Sequence, residues 1–230
     1  MIITFNNKII APAAGKWLSN YLPPIPEYSI RIRYKEGFVP SGNVILRDHD
    51  LNIWDKYGGT RWQYIASDSQ FGEDSILEII GANSTGVTEM PDAFIWGSFT
   101  SIPLFDTSSV TDWGEAFWGC NDIVSLPLYD THNIEDWYAT FKACTSITYI
   151  PDFDVSSATN FQSTFQDCWK VEGGILRMYN KLVALGEQVS HNEKTFHACG
   201  LMPGGGGYAS EQARLERAQI PTTWGGDMQV

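Results

Sequence analysis

In 230 residues, 15 Lys and Arg face 27 Asp and Glu, giving a formal charge of −12. A field of that sign repels phosphate backbones and anionic membranes. Aromatic residues make up 13% of the chain, far more than a disordered segment carries, and no apolar run reaches the roughly 18 residues of a membrane span. A chain folded around a core is expected, with no nucleic acid and no membrane insertion.

Residues 2–10 alternate in part between apolar and polar side chains, as a short strand and its return would, with Asn6-Asn7 at the turn. Residues 11–26 read as irregular, with Leu22 to Pro26 extended. Tyr28-Ser29-Ile30-Arg31-Ile32-Arg33-Tyr34 alternates strictly and predicts a strand. Residues 43–47 can pair back on it, and 61–66 offer another strand. Trp17, Tyr21, Trp54 and Trp62 exceed what so small a β unit can bury, which points to a partner surface. The polar residues 67–74 read as a connection, and 76–80 as a strand that pairs with the first repeat.

The repeats fill residues 87–171. Phe117, Phe141 and Phe165 recur every 24 residues, each opening a Phe-x-x-Cys that ends at Cys120, Cys144 or Cys168. Ile102-Pro103, Leu126-Pro127 and Ile150-Pro151 keep the same step, as do Asp106, Asp130 and Asp154, and then Trp113, Trp137 and Phe161. Val87 to Phe94 is a degenerate first copy at a spacing of 23, and Phe196 to Cys199 is a last copy displaced by an insertion. A fixed period of this length predicts a solenoid whose turns bury their apolar rings on one another. Residues 99–102, 123–126 and 147–150 would each give one strand per turn, ended by the following Pro, which has no N–H to donate. A polar corner and a short helical segment would follow.

Farther on, Ile175, Leu176, Tyr179, Leu182, Val183 and Leu185 fall on one helical face that ends at Gly186. The run Ser210-Glu211-Gln212-Ala213 starts a second short helix that Pro221 terminates.

The units, of which Phe105-Asp106-Thr107-Ser108-Ser109-Val110 to Pro127 is typical, resemble the BspA-type leucine-rich repeat of bacterial surface proteins. The layout is similar to that of phage and prophage proteins. The resemblance covers residues 86–169 and departs where Trp or Phe replaces the family's Met. It implies a leucine-rich-repeat-like solenoid used for display and adhesion, without catalysis. The expected fold class is α+β: a small β-rich N-terminal domain, then a solenoid of about four to five turns of 23–24 residues, with C-terminal capping helices. The domains are 1–75, an anchor; 76–200, the solenoid, with an inserted helix near 175–186; and 201–230, a cap.

The column Cys120, Cys144, Cys168 reads as small apolar plugs alongside Phe117, Phe141 and Phe165, with disulfides or a metal as the alternatives. Asp106, Asp130 and Asp154 cap their own corners, with a calcium column as the alternative. Trp113, Trp137 and Phe161 read as core, with a sugar-stacking platform as the alternative. Trp96, Trp118 and Trp169 are candidates for surface contact. Equivalent sites whose side chains differ from turn to turn give the candidate binding residues: Trp118, Asn121, Lys142, Gln166 and Trp169. The histidines, His49, His132, His191 and His197, show no metal spacing, and no cofactor, catalytic residue or metal is expected.

The function expected is a non-enzymatic structural and binding protein: a virion appendage or decoration protein such as a head or tail fibre component. Its partners would be other virion proteins or a host surface protein or glycan, and a homo-oligomer is expected. It would be made in the host cytoplasm, since the first residues lack the pattern of a signal peptide. A bacterial surface adhesin at the cell surface is the alternative, and a glycan-acting enzyme the second.

Overall fold

The structure, a computed structural model, describes residues 76–228 continuously and, before them, residues 2–5, 8–12, 25, 29–34, 45–47, 51–54 and 60–62. Strand β1 (Ile2–Phe5) pairs antiparallel with β2 (Lys8–Pro12). Strands β3 (Ser29–Tyr34), β4 (Ile45–Arg47), β5 (Leu51–Trp54) and β6 (Ile76–Asn83) form an antiparallel sheet in the order β4-β5-β3-β6. The alternation in β3 turns Ile30 inward, where it is buried with Ile79 of β6. From its position in the chain β6 was expected against the first repeat; it lies along β3 instead. Of the expected strand over 61–66 only Arg61 and Trp62 are described, with Arg61 in an isolated bridge to Glu89; residues 63–66, the connection over 67–74 and the surface roles of Trp17 and Tyr21 lie outside the described residues, as does the side chain of Trp54. Trp62 is buried, its ring 6.1 Å from that of Phe105.

The expected fold class is overturned in the repeat region. From 76 to 228 the chain has one strand, β6, and two α-helices; residues 84–174 contain no strand and form no sheet, so a leucine-rich-repeat-like solenoid is not seen. Two physical reasons account for this. The segments assigned as strands are joined to one another by one backbone bond per pair, Val124 N–H to Thr100 O at 3.4 Å and Thr148 N–H to Val124 O at 3.2 Å, and the last of them makes two with the stretch that follows, Glu172 N–H to Thr148 O at 2.8 Å and Ile150 N–H to Gly173 O at 3.2 Å. The prolines at 103, 127 and 151 have no N–H with which to continue a ladder. The links between copies lie instead in the segment expected to be helical.

In that segment the backbone alternates, with positive φ at two places per copy: Asp92 and Trp96, Glu115 and Gly119, Ala139 and Ala143, Ser163 and Asp167, Lys194 and Ala198. The alternation breaks both helix and strand geometry. It directs every second N–H to the next copy: Met90, Asp92, Phe94 and Trp96 donate to the carbonyls of Asp112, Gly114, Ala116 and Trp118, at 2.7–2.9 Å. The copies at 113–119, 137–143 and 161–167 do the same. The peptides between make bonds along the chain, such as Ala116 N–H to Trp113 O and Thr140 N–H to Trp137 O.

The core follows from this register. Phe94, Phe117, Phe141, Phe165 and Phe196 are fully buried, with successive centroids 5.1, 5.4, 5.5 and 6.1 Å apart and planes within 12° of parallel. Buried hydroxyls tie the copies from within: Thr140, Thr164 and Thr195 donate to the carbonyls of Trp113, Trp137 and Phe161 at 2.8–3.0 Å. Near the corners Thr107 and Thr131 donate to Asp130 O and Asp154 O. Each hydroxyl is thereby satisfied without water.

Helix α1 (Ile175–Ala184) lies in the insertion and buries Ile175, Met178 and Leu182. Its N-terminus follows Gly174, at φ 92, where a Cβ would meet Ile150 O at 2.6 Å. Gly174 brings no capping side chain; Glu216 of α2 (Glu211–Arg217) supplies the oxygens, accepting from Gly174 N–H at 3.4 Å and Leu176 N–H at 3.1 Å. Ser210 caps α2 by accepting from Ala213 N–H at 2.9 Å. Buried Arg217 donates to Phe196 O, Cys199 O and Gly225 O and pairs with Asp227, closing the last copy.

Candidate functional site

The five candidate binding residues fall into two columns. Trp118, Lys142 and Gln166 hold one equivalent position, which Ile95 begins and His197 ends; Asn121 and Trp169 hold a second, with Thr145 between them. The first column stands on linking bonds. Trp96 N–H donates to Trp118 O, Gly119 N–H to Lys142 O, Ala143 N–H to Gln166 O and Asp167 N–H to His197 O, all at 2.7–2.8 Å. Trp118 and Lys142 touch, with the Lys142 Nζ 4.6 Å from the indole centroid. Gln166 Nε2 donates to Asp167 at 3.2 Å. In the second column Asn121 is exposed and Trp169 half-buried, with Thr145 Oγ1 3.4 Å from Asn121 O.

Trp96 was singled out as a surface residue, and the structure supplies its setting. Its indole lies over Gly119, 5.3 Å from the Trp118 ring at an interplanar angle of 42°, and is 42% exposed. Four residues before Trp96 and Gly119, Asp92 and Glu115 hold equivalent positions in adjacent copies and hydrogen-bond each other. Burial, then that hydrogen bond and the Asp92 charge, hold the Glu115 carboxyl above the usual carboxylate range, opposed by the Lys142 ammonium. The sequence reading missed this pair, although its spacing of 23 matches that of Phe94 and Phe117.

Trp113, Trp137 and Phe161 are fully buried, with Trp113 edge-on to Trp137 at 5.4 Å, so they offer no face to a sugar. Trp137 Nε1 donates to Ile134 O at 3.2 Å, whereas Trp113 Nε1 has no partner among the described residues. Cys120, Cys144, Cys168 and Cys199 are free and buried. The first three thiols donate to Phe94 O, Phe117 O and Phe141 O, each at 3.0 Å. Burial pushes all four thiols up, Cys199 to about 12, so none is poised as a thiolate.

The corner carboxylates serve their own turns. Asp106 accepts from Ser108 N–H at 3.0 Å and from its hydroxyl at 2.6 Å, Asp154 accepts from Ser156 N–H at 2.9 Å, and Asp130 pairs with His132 at 2.6 Å. The serine hydrogen bonds hold Asp106 and Asp154 below the usual carboxylate range. Among the described residues no group of three or more His, Cys, Asp or Glu is placed to hold a metal ion.

No protein-family model matches the chain, and no curated protein and no solved structure matches it.

Proposed function

We propose that the protein is a non-enzymatic structural and binding protein, a virion appendage or decoration component such as part of a head or tail fibre. It presents the column of Trp118, Lys142, Gln166 and His197 for attachment to a host surface or a partner protein. One observation carries this reading. Identical backbone bonds fix successive positions of the column, while the side chains on them change from aromatic to cationic to amide to imidazole. Chemical variety on a rigid frame suits recognition. The virion assignment draws on the layout, a short leading β domain joined to repeats of this kind, which resembles that of phage and prophage proteins.

The test uses intact particles. Antibodies to the chain should label purified phage particles in electron micrographs. The paired substitution Lys142→Ala with Gln166→Ala, which removes the polar heads of two half-buried members of the column, should lower particle adsorption to host cells about tenfold, a loss of about 1.4 kcal/mol in binding. The melting temperature should move by no more than about 2 °C, as for surface substitutions. Unlabelled particles, or labelled particles whose variants adsorb as before, would sink the reading.

A further inference from the structure

The first two copies meet at a feature that packing alone does not require. Trp96 has φ 59, in a position that the later copies fill with Gly119, Ala143, Asp167 and Ala198. A bulky residue in the left-handed region is an outlier, and such strain persists where something else requires the side chain. The next copy is shaped to receive it: a Cβ on Gly119 would lie 2.2 Å from Cε3 of the Trp96 ring. A strained tryptophan and a bare glycine together hold an indole that stays 42% exposed, so burial does not account for it. The Trp118 ring, at 5.3 Å and 42°, makes the second wall of an aromatic corner. Lys142 lies against that wall, and its charge reaches the Glu115 carboxyl, which is hydrogen-bonded to Asp92.

The rim decides what the corner would accept. An anion would meet two carboxyls and a cation would meet the Lys142 ammonium, whereas a neutral polyhydroxylated ring can use both. A flat indole with a polar rim matches the C–H face and hydroxyl edge of a sugar. We propose that the Trp96–Trp118 corner, rimmed by Asp92, Glu115 and Lys142, is a carbohydrate subsite in which Trp96 stacks on a neutral pyranose and the rim groups bond its hydroxyls. This rests on the binding reading above and names the ligand class for the first end of that surface.

Chitohexaose, cellohexaose and maltohexaose are titrated into the full chain by calorimetry. At least one should bind saturably, and Trp96→Gly should weaken it tenfold or more while the variant melts within about 5 °C of the parent, because relief of the positive φ offsets part of the lost packing on Trp118. No binding by any of the three, or unchanged binding by Trp96→Gly, overturns the subsite. If the sugars fail while Lys142→Ala with Gln166→Ala still lowers adsorption, the carbohydrate inference falls and the binding reading stands. If adsorption is also unchanged, both fall.

Discussion

Single positions show what each turn needs. Asp112 Oδ1 accepts from Gly114 N–H at 2.8 Å, Asp136 from Tyr138 N–H at 2.7 Å, and Asn160 from Gln162 N–H at 3.2 Å. The turn requires an oxygen acceptor and no charge. Burial, aided by the charges of Asp136 and Glu89, holds the Asp112 carboxyl above its usual range against the pull of Gly114 N–H and Arg61. A carboxyl raised on folding binds its proton more tightly in the native state. Its penalty is therefore absent at low pH, grows as pH rises from about 4 through the raised value, and persists above it. Asp112→Asn keeps the acceptor, as Asn160 shows. It should stabilise the protein at pH 7 by a few tenths of a kcal/mol, up to about 1 after solvent screening, and by nothing at pH 3. Urea unfolding at the two pH values measures this, and equal stability of variant and parent at pH 7 would count against it.

The elements show where the chain could be read from its residues and where it could not. The alternation of β3, the presence of α1 and Ser210 at the start of α2 were legible because each is a local signal, but the face of α1 was read in part only, since Val183 is exposed and Met178, left out of it, is buried. The period and the buried Phe, Cys and Trp columns were legible from spacing. The conformation within a copy was not. Asp92, Trp96, Glu115, Ala139, Ala143, Ser163, Asp167, Lys194 and Ala198 all have positive φ, and nothing in alanine, lysine or tryptophan announces the left-handed region. The aromatic corner went unread for the same reason, since it depends on where Trp96 lies over Gly119. At Ala143, φ 57, glycine removes about 1 kcal/mol or more of strain against a chain-entropy cost of about 0.5–1 kcal/mol. Ala143→Gly should thus be neutral or stabilising by up to about 1 kcal/mol. Ala158, fully buried where Ala143 is half-buried and without positive φ, should lose about 1 kcal/mol on the same change. Thermal melts of the two variants compare them directly, and a loss at Ala143 equal to that at Ala158 would refute the argument.

For the whole molecule, closure at the end of the repeats depends on one cation. Arg217 is 3% exposed and serves three carbonyls and a carboxylate. Arg217→Ala would strip those acceptors at once and should cost about 3–5 kcal/mol. Lysine, which lacks the planar fork, should recover only part of it. Hydrogen exchange at Phe196 and Cys199 should accelerate in both variants before exchange at Phe117 does; uniform acceleration would show that Arg217 holds the molecule as one unit.

The linking bonds also give the molecule an electrical direction. Four peptides in each of four copies point their N–H groups toward the C-terminal side and their carbonyls back, outnumbering those that point the other way, such as Thr111 N–H to Thr88 O and Glu135 N–H to Thr111 O, so a net dipole remains, as along a helix. The two ends differ accordingly. Trp62 brings an amide to the carbonyl of Glu89 at one end, and Trp224 brings a carbonyl to the amide of Phe196 at the other, each at 2.8 Å. A further copy could join this row only head to tail, because a partner related by a two-fold axis would set donor against donor or acceptor against acceptor.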